Sequence, residues 1–311
     1  MASVKTITLI GAHGNLGPVL LTALLSSPKQ FQVQVFQRDS SASPPLSQGV
    51  TTIRIPDCFP VKDLTAALTS QDAVIVCFPL ADLSAHLRIA EAAYAAGVKR
   101  FIPADFGSVD SRSEYARQLV KLFDKKVRVQ ELLESLSAKG GQEGKEWGWT
   151  SLVTGHLYDW GLRNGFLHLW PNEKRAEILG DGERKSSLST LRRVGEAVVK
   201  ILEAEEGVYR ENMKGRVLMI QSFCVSQNEV LKMLERVTEE TWEVRHEDTK
   251  GFIKRHKELV DAGNQESIED LVFALGVADG NWEEKGDFAM GLLGLVDEDL
   301  ETETRRALGF A

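Results

Sequence analysis

Apolar positions in the first half of the chain switch repeatedly between short aliphatic runs and stretches with helical spacing. Thr6–Ile10 reads as a first strand, and Pro18–Leu25 as a helix after it. Gln32–Phe36 is a second strand closed by Arg38, Asp39 and Ser40, and the Ser- and Pro-rich stretch Ser40–Gly49 is a loop. Thr52–Ile55 is a weaker third strand, followed by a short helix around Leu64–Leu68. Ala73–Phe78 is continuously apolar, as a strand buried on both faces is. The alanine-rich stretch Leu83–Ala96 is a helix that Gly97 terminates. Phe101–Pro103 is a fifth strand, Glu114–Leu136 one long helix, Lys139–Gly148 a surface loop and Trp149–Thr154 a further strand.

Beyond Gly155 the pattern becomes irregular. Arg192–Ala204 has helical spacing, Arg216–Ile220 reads as a strand, and from Ser226 on the chain is mostly helical and acidic. Strands alternating with helices point to βαβ units and a parallel sheet.

A glycine-rich loop sits in the first βα turn: Gly11, Ala12, His13, Gly14, Asn15, Leu16, Gly17. Glycines there permit a tight turn, close approach of a pyrophosphate to the backbone, and close helix–strand packing. The helix that follows presents free N–H groups and a positive dipole end to the anion. The expected fold is therefore an α/β, Rossmann-type doubly wound parallel sheet, with Gly11, His13, Gly14, Asn15, Leu16 and Gly17 as cofactor contacts. Phe78, at the end of the apolar strand, joins them. At the end of the second strand an acid favours NAD and an arginine favours the 2′-phosphate of NADP. Arg38 comes first there, then Asp39, with Ser40 and Ser41 as neutral donors, which selects NADP(H).

In the long helix Leu119, Leu122, Lys126, Val129, Leu133 and Leu136 fall on one face, and Lys126 is the charged residue among them. An inward ammonium loses hydration and needs a partner, a cavity or a lowered pKa. That suits acid/base chemistry beside a cofactor; snorkelling of the long stem to water explains the pattern equally well. His156 follows a strand end, where open α/β sheets bind ligands, and is a candidate to orient or protonate a substrate, although a lone histidine is more often a structural hydrogen-bonder. Tyr158 and Trp160 could stack on a flat substrate, with Phe106 and Ser108 shaping the same cleft; an ordinary core explains the aromatic cluster equally well.

Composition narrows the function classes. The 311 residues are 43% hydrophobic and 26% charged, enough for about two domains with a sizeable core. A net charge of -8 gives no footprint for nucleic acid and repels an anionic membrane. The Ile7–Ile10 run is too short for a signal-peptide core or a membrane span. Cys58, Cys77 and Cys224 have neither disulfide nor metal-ligand spacing, so no metal is expected and the compartment reads as cytoplasmic.

The loop Gly11–Gly17, the Arg38 strand end, the run from Ala95 through Phe101, Ile102, Pro103, Ala104, Asp105, Phe106 and Gly107, and the pair Lys126–Val127 resemble the NmrA-like family. This atypical branch of the short-chain dehydrogenases includes isoflavone reductases and phenylcoumaran benzylic ether reductases. Thr154–Leu162 and the acidic C-terminal helices are similar to fungal members. The resemblance implies NADP(H) binding by residues 1–155, completed by 186–220, and a smaller, mainly helical substrate domain from 156–185 and 221–311. It implies that Lys126 is the catalytic acid/base in reduction of an aromatic or polyketide-like small molecule. It also leaves open a second class, the NADP(H)-binding redox sensors and transcriptional regulators that turn over nothing. The chain departs from the family pattern at His13, at Asp105 in place of glutamate, at Gln130 and Glu131 in place of two basic residues, in the long Lys139–Gly148 loop, and at Arg192–Arg193 in place of an acid.

Overall fold

The computed structural model of the chain describes residues 4–44, 46, 49–141 and 146–310. Residues 45, 47 and 48 of the first expected loop and 142–145 of the second lie outside the described residues. The chain forms two compact units, one from residues 1–105, 124–152 and 195–218, the other from 106–123, 153–194 and 219–311.

The first unit is built on a seven-stranded sheet. Its strands include β1 (Thr6–Ile10), β2 (Gln32–Arg38), β3 (Thr51–Ile55), β4 (Ala73–Val76), β5 (Arg100–Ile102) and β6 (Gly148–Val153). The helices α1 (Gly17–Leu25), α2 (Val61–Leu68) and α3 (Leu83–Ala95) connect the earlier strands. The spatial order is edge strand Arg216–Met219, then β6, β5, β4, β1, β2 and β3. The pairings from β3 through to β6 are parallel. The chain thus winds outward from β1 to β3, returns to β4 beside β1, and winds the other way. This is a doubly wound Rossmann-type sheet, with its switch point between β1 and β4. β4 is buried along its whole length, because helices cover both faces of a parallel sheet.

Arg100 shows how the edge of this unit is held. Its guanidinium is 2% exposed and donates to the carbonyls of Ile201, Leu202 and Ala204 at 2.7, 3.1 and 2.9 Å. The first two are among the last carbonyls of the helix Leu191–Glu203, which have no partner within the helix, and Ala204 is the residue after it. The same group lies 4.1 Å from the Tyr209 ring centroid.

The second unit contains helices and two three-stranded sheets. One sheet joins Phe223–Ser226, Lys185–Ser189 and His156–Leu157; the other joins Glu243–Glu247, Arg175–Leu179 and Leu169–Trp170. Around them lie the helices Gln227–Thr238, Thr249–Asp261, Ser267–Asp279 and Leu300–Leu308. The first of these opens on a capping box between Ser226 and Glu229. Arg192 and Arg193, which depart from the family pattern, are structural here. Arg192 pairs with Glu298 and, at 2.8 Å, with Glu303, and Arg193 donates to the Val296 carbonyl at 2.5 Å.

The helix expected over Glu114–Leu136 is two helices, α4 (Glu114–Leu119) and α5 (Lys121–Ala138). Between them Val120 is extended at φ -132° and ψ 110°, which turns its β-branched side chain into the interior at 3% exposure.

Candidate functional site

The carboxyl ends of β2, β1, β4 and β5 lie side by side and carry, in that order, Arg38, the glycine loop, Phe78 and Asp105. Three strand spacings separate the outer two, about 14 Å. In open α/β sheets this edge, beside the switch point, is where ligands bind.

The loop is built around backbone contact. Gly11 has φ +105°, and a Cβ there would stand 2.8 Å from the Phe78 amide nitrogen. A Cβ on Gly17 would stand 2.3 Å from the Gly11 carbonyl oxygen, so that position admits no side chain. Gly14 is different. Its backbone lies outside the left-handed region and its nearest neighbour would be Gly11 O at 3.4 Å. Packing does not require glycine at 14, so the space before it is open to a ligand. The residue before α1, Leu16, gives it no side-chain cap, and its first turn has no acidic residue. Asp82, Ser113, Ser226, Asp248 and Asp299 cap other helices of the chain, and the helices that follow Pro60, Leu157, Glu205 and Glu266 are uncapped like α1. Uncapped N–H groups beside an open glycine fit the pyrophosphate of a dinucleotide. His13 and Asn15 are exposed on the loop, and His13 Nε2 lies 3.0 Å from the Pro44 carbonyl. Cys77 is buried beneath the loop, which pushes its thiol up to about 12 and leaves it inert.

Arg38 is exposed, and among the described residues its guanidinium has no ion-pair partner. Arg54 Nη1 donates to the carbonyls of Arg38 and Ser41 at 2.9 and 3.1 Å and so fixes the turn after β2. Ser40 Oγ donates to Asp57 Oδ1 at 2.8 Å, while Ser41 Oγ bonds Ser43 Oγ at 3.1 Å.

Lys126 faces inward at 7% exposure, on the same face of α5 as Phe123, Val129, Leu133 and Leu136. Its Nζ donates to the Asp105 carbonyl at 2.8 Å and lies 2.9 Å from Asp105 Oδ1. Asp105 Oδ2 accepts from Ser151 Oγ of β6 at 2.6 Å and from Gln130 Nε2 of α5 at 3.3 Å. A buried ion pair survives its desolvation cost only with such extra hydrogen bonds. These polar groups, with Leu80, His86, Pro103 and Val129, line a cavity of about 10 Å³ for a water-sized sphere, room for a single water. His86 is 3% exposed, and burial pushes its imidazole down to about 4, so it is neutral at pH 7. Asp105, Ser151 and His86 were not singled out as site residues by the sequence. A lone acid after a strand, a strand serine and a histidine in an alanine-rich helix give no local pattern.

The remaining candidates fall in the second unit. His156 lies three residues beyond the carboxyl end of β6 and pairs with Leu188 in a small separate sheet. Its ring is 3% exposed, stacks on Phe273 at 5.6 Å and meets Phe166 edge-on at 5.3 Å. A Cβ on Gly276 would stand 2.1 Å from His156 Nε2, so the helix backbone seals that nitrogen. Burial pushes this imidazole down to about 4. Tyr158 is fully buried, with its hydroxyl 2.6 Å from Thr304 Oγ1. Both belong to the unit's core. Trp160 is half-buried against Phe166. Phe106 is half-buried at φ +42°, a strained value for an aromatic residue, and Ser108 has a buried Oγ with no hydrogen-bond partner among the described residues.

The profile of the NmrA-like family matches residues 3–140. An oxidoreductase of Aspergillus flavus, aprR, is 32% identical over 242 residues, covering 78% of this chain and 77% of its own. The chain belongs to the NmrA-like family. Solved structures share its fold at low identity. A crystal structure of isoflavone reductase superposes with a TM-score of 0.75 at 20% identity, over 98% of this chain and 99% of that one. The binary complex of leucoanthocyanidin reductase with NADPH from Vitis vinifera gives 0.72 at 15% identity, over 98% and 100%. Among the described residues no helix is long and apolar enough to cross a membrane.

Proposed function

We propose that this NmrA-like oxidoreductase uses NADPH to reduce an aromatic or polyketide-like small molecule, with Lys126 as the acid/base. The observation that supports the reading best is the row of groups along one sheet edge: an exposed arginine, an uncapped helix behind an open glycine, and a buried ammonium. Arg38 would hold the 2′-phosphate by charge-assisted hydrogen bonds. The amides of the Gly14–Gly17 turn would hold the pyrophosphate. Phe78 would flank the cofactor's path toward β5. NADPH, when bound, supplies a hydride to an electron-poor carbon.

Lys126 then does what the chain's own chemistry allows. Its ammonium stabilises negative charge developing on the substrate oxygen and donates a proton to it. The low-dielectric surroundings strengthen that interaction, since water does not screen it. His156 and Tyr158 have no part in this scheme.

One observation favours the sensor reading instead: the Lys126 ammonium is already held by Asp105. A protein in which that pair never opens toward a substrate would bind NADPH without turnover. The test is NADPH oxidation at 340 nm with a panel of aromatic ketones, enones, quinones and benzylic ethers. Turnover of any member above the substrate-free rate supports the reductase. Tight NADPH binding with no turnover across the panel selects the sensor.

A further inference from the structure

We propose that Asp105 is a positioning residue through which Lys126 acts, and that Ser151 and Gln130 fix Asp105 for this purpose; the inference rests on the reading of Lys126 above. A lysine head ends a long flexible stem, and catalysis needs it at one place and in one direction. The ammonium has three N–H donors. Asp105 engages it twice, by a hydrogen bond to the backbone carbonyl at 2.8 Å and an ion pair with Oδ1 at 2.9 Å, and so constrains both its position and its direction. The other carboxylate oxygen, Oδ2, is bound by Ser151 Oγ at 2.6 Å and Gln130 Nε2 at 3.3 Å. The carboxylate therefore cannot rotate without breaking bonds to β6 and α5. Gln130 lies one helical turn beyond Lys126, so α5 supplies both the lysine and a brace for its partner. The four side chains are all nine-tenths or more buried. In such surroundings the Asp105 charge also compensates the buried ammonium.

Two readouts test this, one of them independent of turnover. In the NADPH-loaded protein, acetylation by acetic anhydride is followed at each lysine by mass spectrometry. Asp105→Asn, nearly the same shape, keeps the backbone carbonyl but removes the charge that holds the ammonium, and Lys126 labels at least about tenfold faster while Lys125 stays within about twofold. Ser151→Ala gives a smaller rise in the same direction, and it serves if Asp105→Asn does not fold. Unchanged labelling of Lys126 in both variants overturns the proposal.

The second readout is NADPH-dependent reduction of 1,4-naphthoquinone in a four-protein cycle of wild type, Asp105→Asn, Lys126→Met and the double variant. Asp105→Asn lowers kcat about tenfold or more with KM within about twofold, and in the Lys126→Met background it lowers kcat no further. A second, additive loss in that background means Asp105 does not act through Lys126, and overturns the proposal. If Lys126→Met alone keeps the wild-type rate, the acid/base reading fails, and the labelling result still decides whether Asp105 positions the lysine.

Discussion

Gly14 and Gly17 stand three residues apart in one loop, and the structure assigns them opposite responses to the same methyl group. At Gly17 the added carbon would lie 2.3 Å from Gly11 O, 2.5 Å from Ala12 C and 2.6 Å from Ala12 Cα, all backbone atoms. Relief to an ordinary carbon–oxygen contact of roughly 3.3 Å needs the loop to move by about 1 Å. Gly17→Ala should therefore cost about 1–3 kcal/mol, the usual range for overpacking. At Gly14 the nearest atoms would be 3.4 and 3.8 Å away and the backbone is not left-handed. Gly14→Ala should leave stability unchanged, or raise it by about 0.4–1 kcal/mol through the unfolded chain. Its methyl group would fill the space left for a pyrophosphate, so NADPH affinity should fall at least tenfold, about 1.4 kcal/mol. Thermal unfolding and titration calorimetry of both variants make the comparison. A Gly14→Ala protein that binds NADPH like wild type would refute the cradle, and a Gly17→Ala protein as stable as wild type would refute the packing argument.

Arg38→Ala should weaken NADPH by about 1.5–3 kcal/mol, a hydrogen bond to a charged group, and leave NADH nearly unchanged; equal weakening in calorimetry would show that the strand end is not the phosphate site. Arg100→Met strips the helix Leu191–Glu203 of its cap and should destabilise the protein by about 1.5–3 kcal/mol in denaturant titration, the range for hydrogen bonds from a charged group, whereas a loss under 1 kcal/mol would deny that role. Acid should destabilise the fold through Asp72. Burial alone would raise this carboxyl, but the Lys99 ammonium at 2.7 Å and the Thr6 and Lys5 amides outweigh burial and hold it below its ordinary 3.8. A depressed carboxyl contributes its full stability above the unfolded value and loses it as pH falls through the folded one. The contribution is therefore flat above about pH 4 and disappears below it, and Asp72→Asn should flatten that limb of the pH–stability curve. An unchanged limb would remove Asp72 from the account.

The parts of the site set by local pattern were legible in the sequence. β1, the glycine loop and α1 follow one another within twenty residues, and a period of 3.6 placed Lys126 on the buried face of α5 without reference to the rest of the chain. What sits against Lys126 was not legible, because Asp105 and Ser151 reach it through the order of β5 and β6 in the sheet. The surroundings of His156 were not legible for a related reason. A strand end looks the same whichever sheet it joins, and His156–Leu157 joins Lys185–Ser189 instead of continuing β6. The strands His156–Leu157 and Leu169–Trp170 have two residues each, too short for alternation to register.

The central claim is that Lys126 delivers the proton for an NADPH-dependent reduction. The direct measurement is kcat for the panel substrate turned over best, in wild type, Lys126→Met and Lys125→Met, with the NADPH affinity of each determined in parallel. Lys125 neighbours Lys126 in sequence, but its Nζ donates to the Ala81 carbonyl at 2.7 Å and it is only half-buried. Because Lys126→Met leaves the Asp105 carboxylate without its cation, the double variant with Asp105→Asn serves as the control for stability. The account predicts that Lys126→Met slows turnover by about 10²–10⁴-fold, the usual weight of general acid–base catalysis, with NADPH bound as before and Lys125→Met within about twofold of wild type. A Lys126→Met protein that reduces the substrate at the wild-type rate contradicts it.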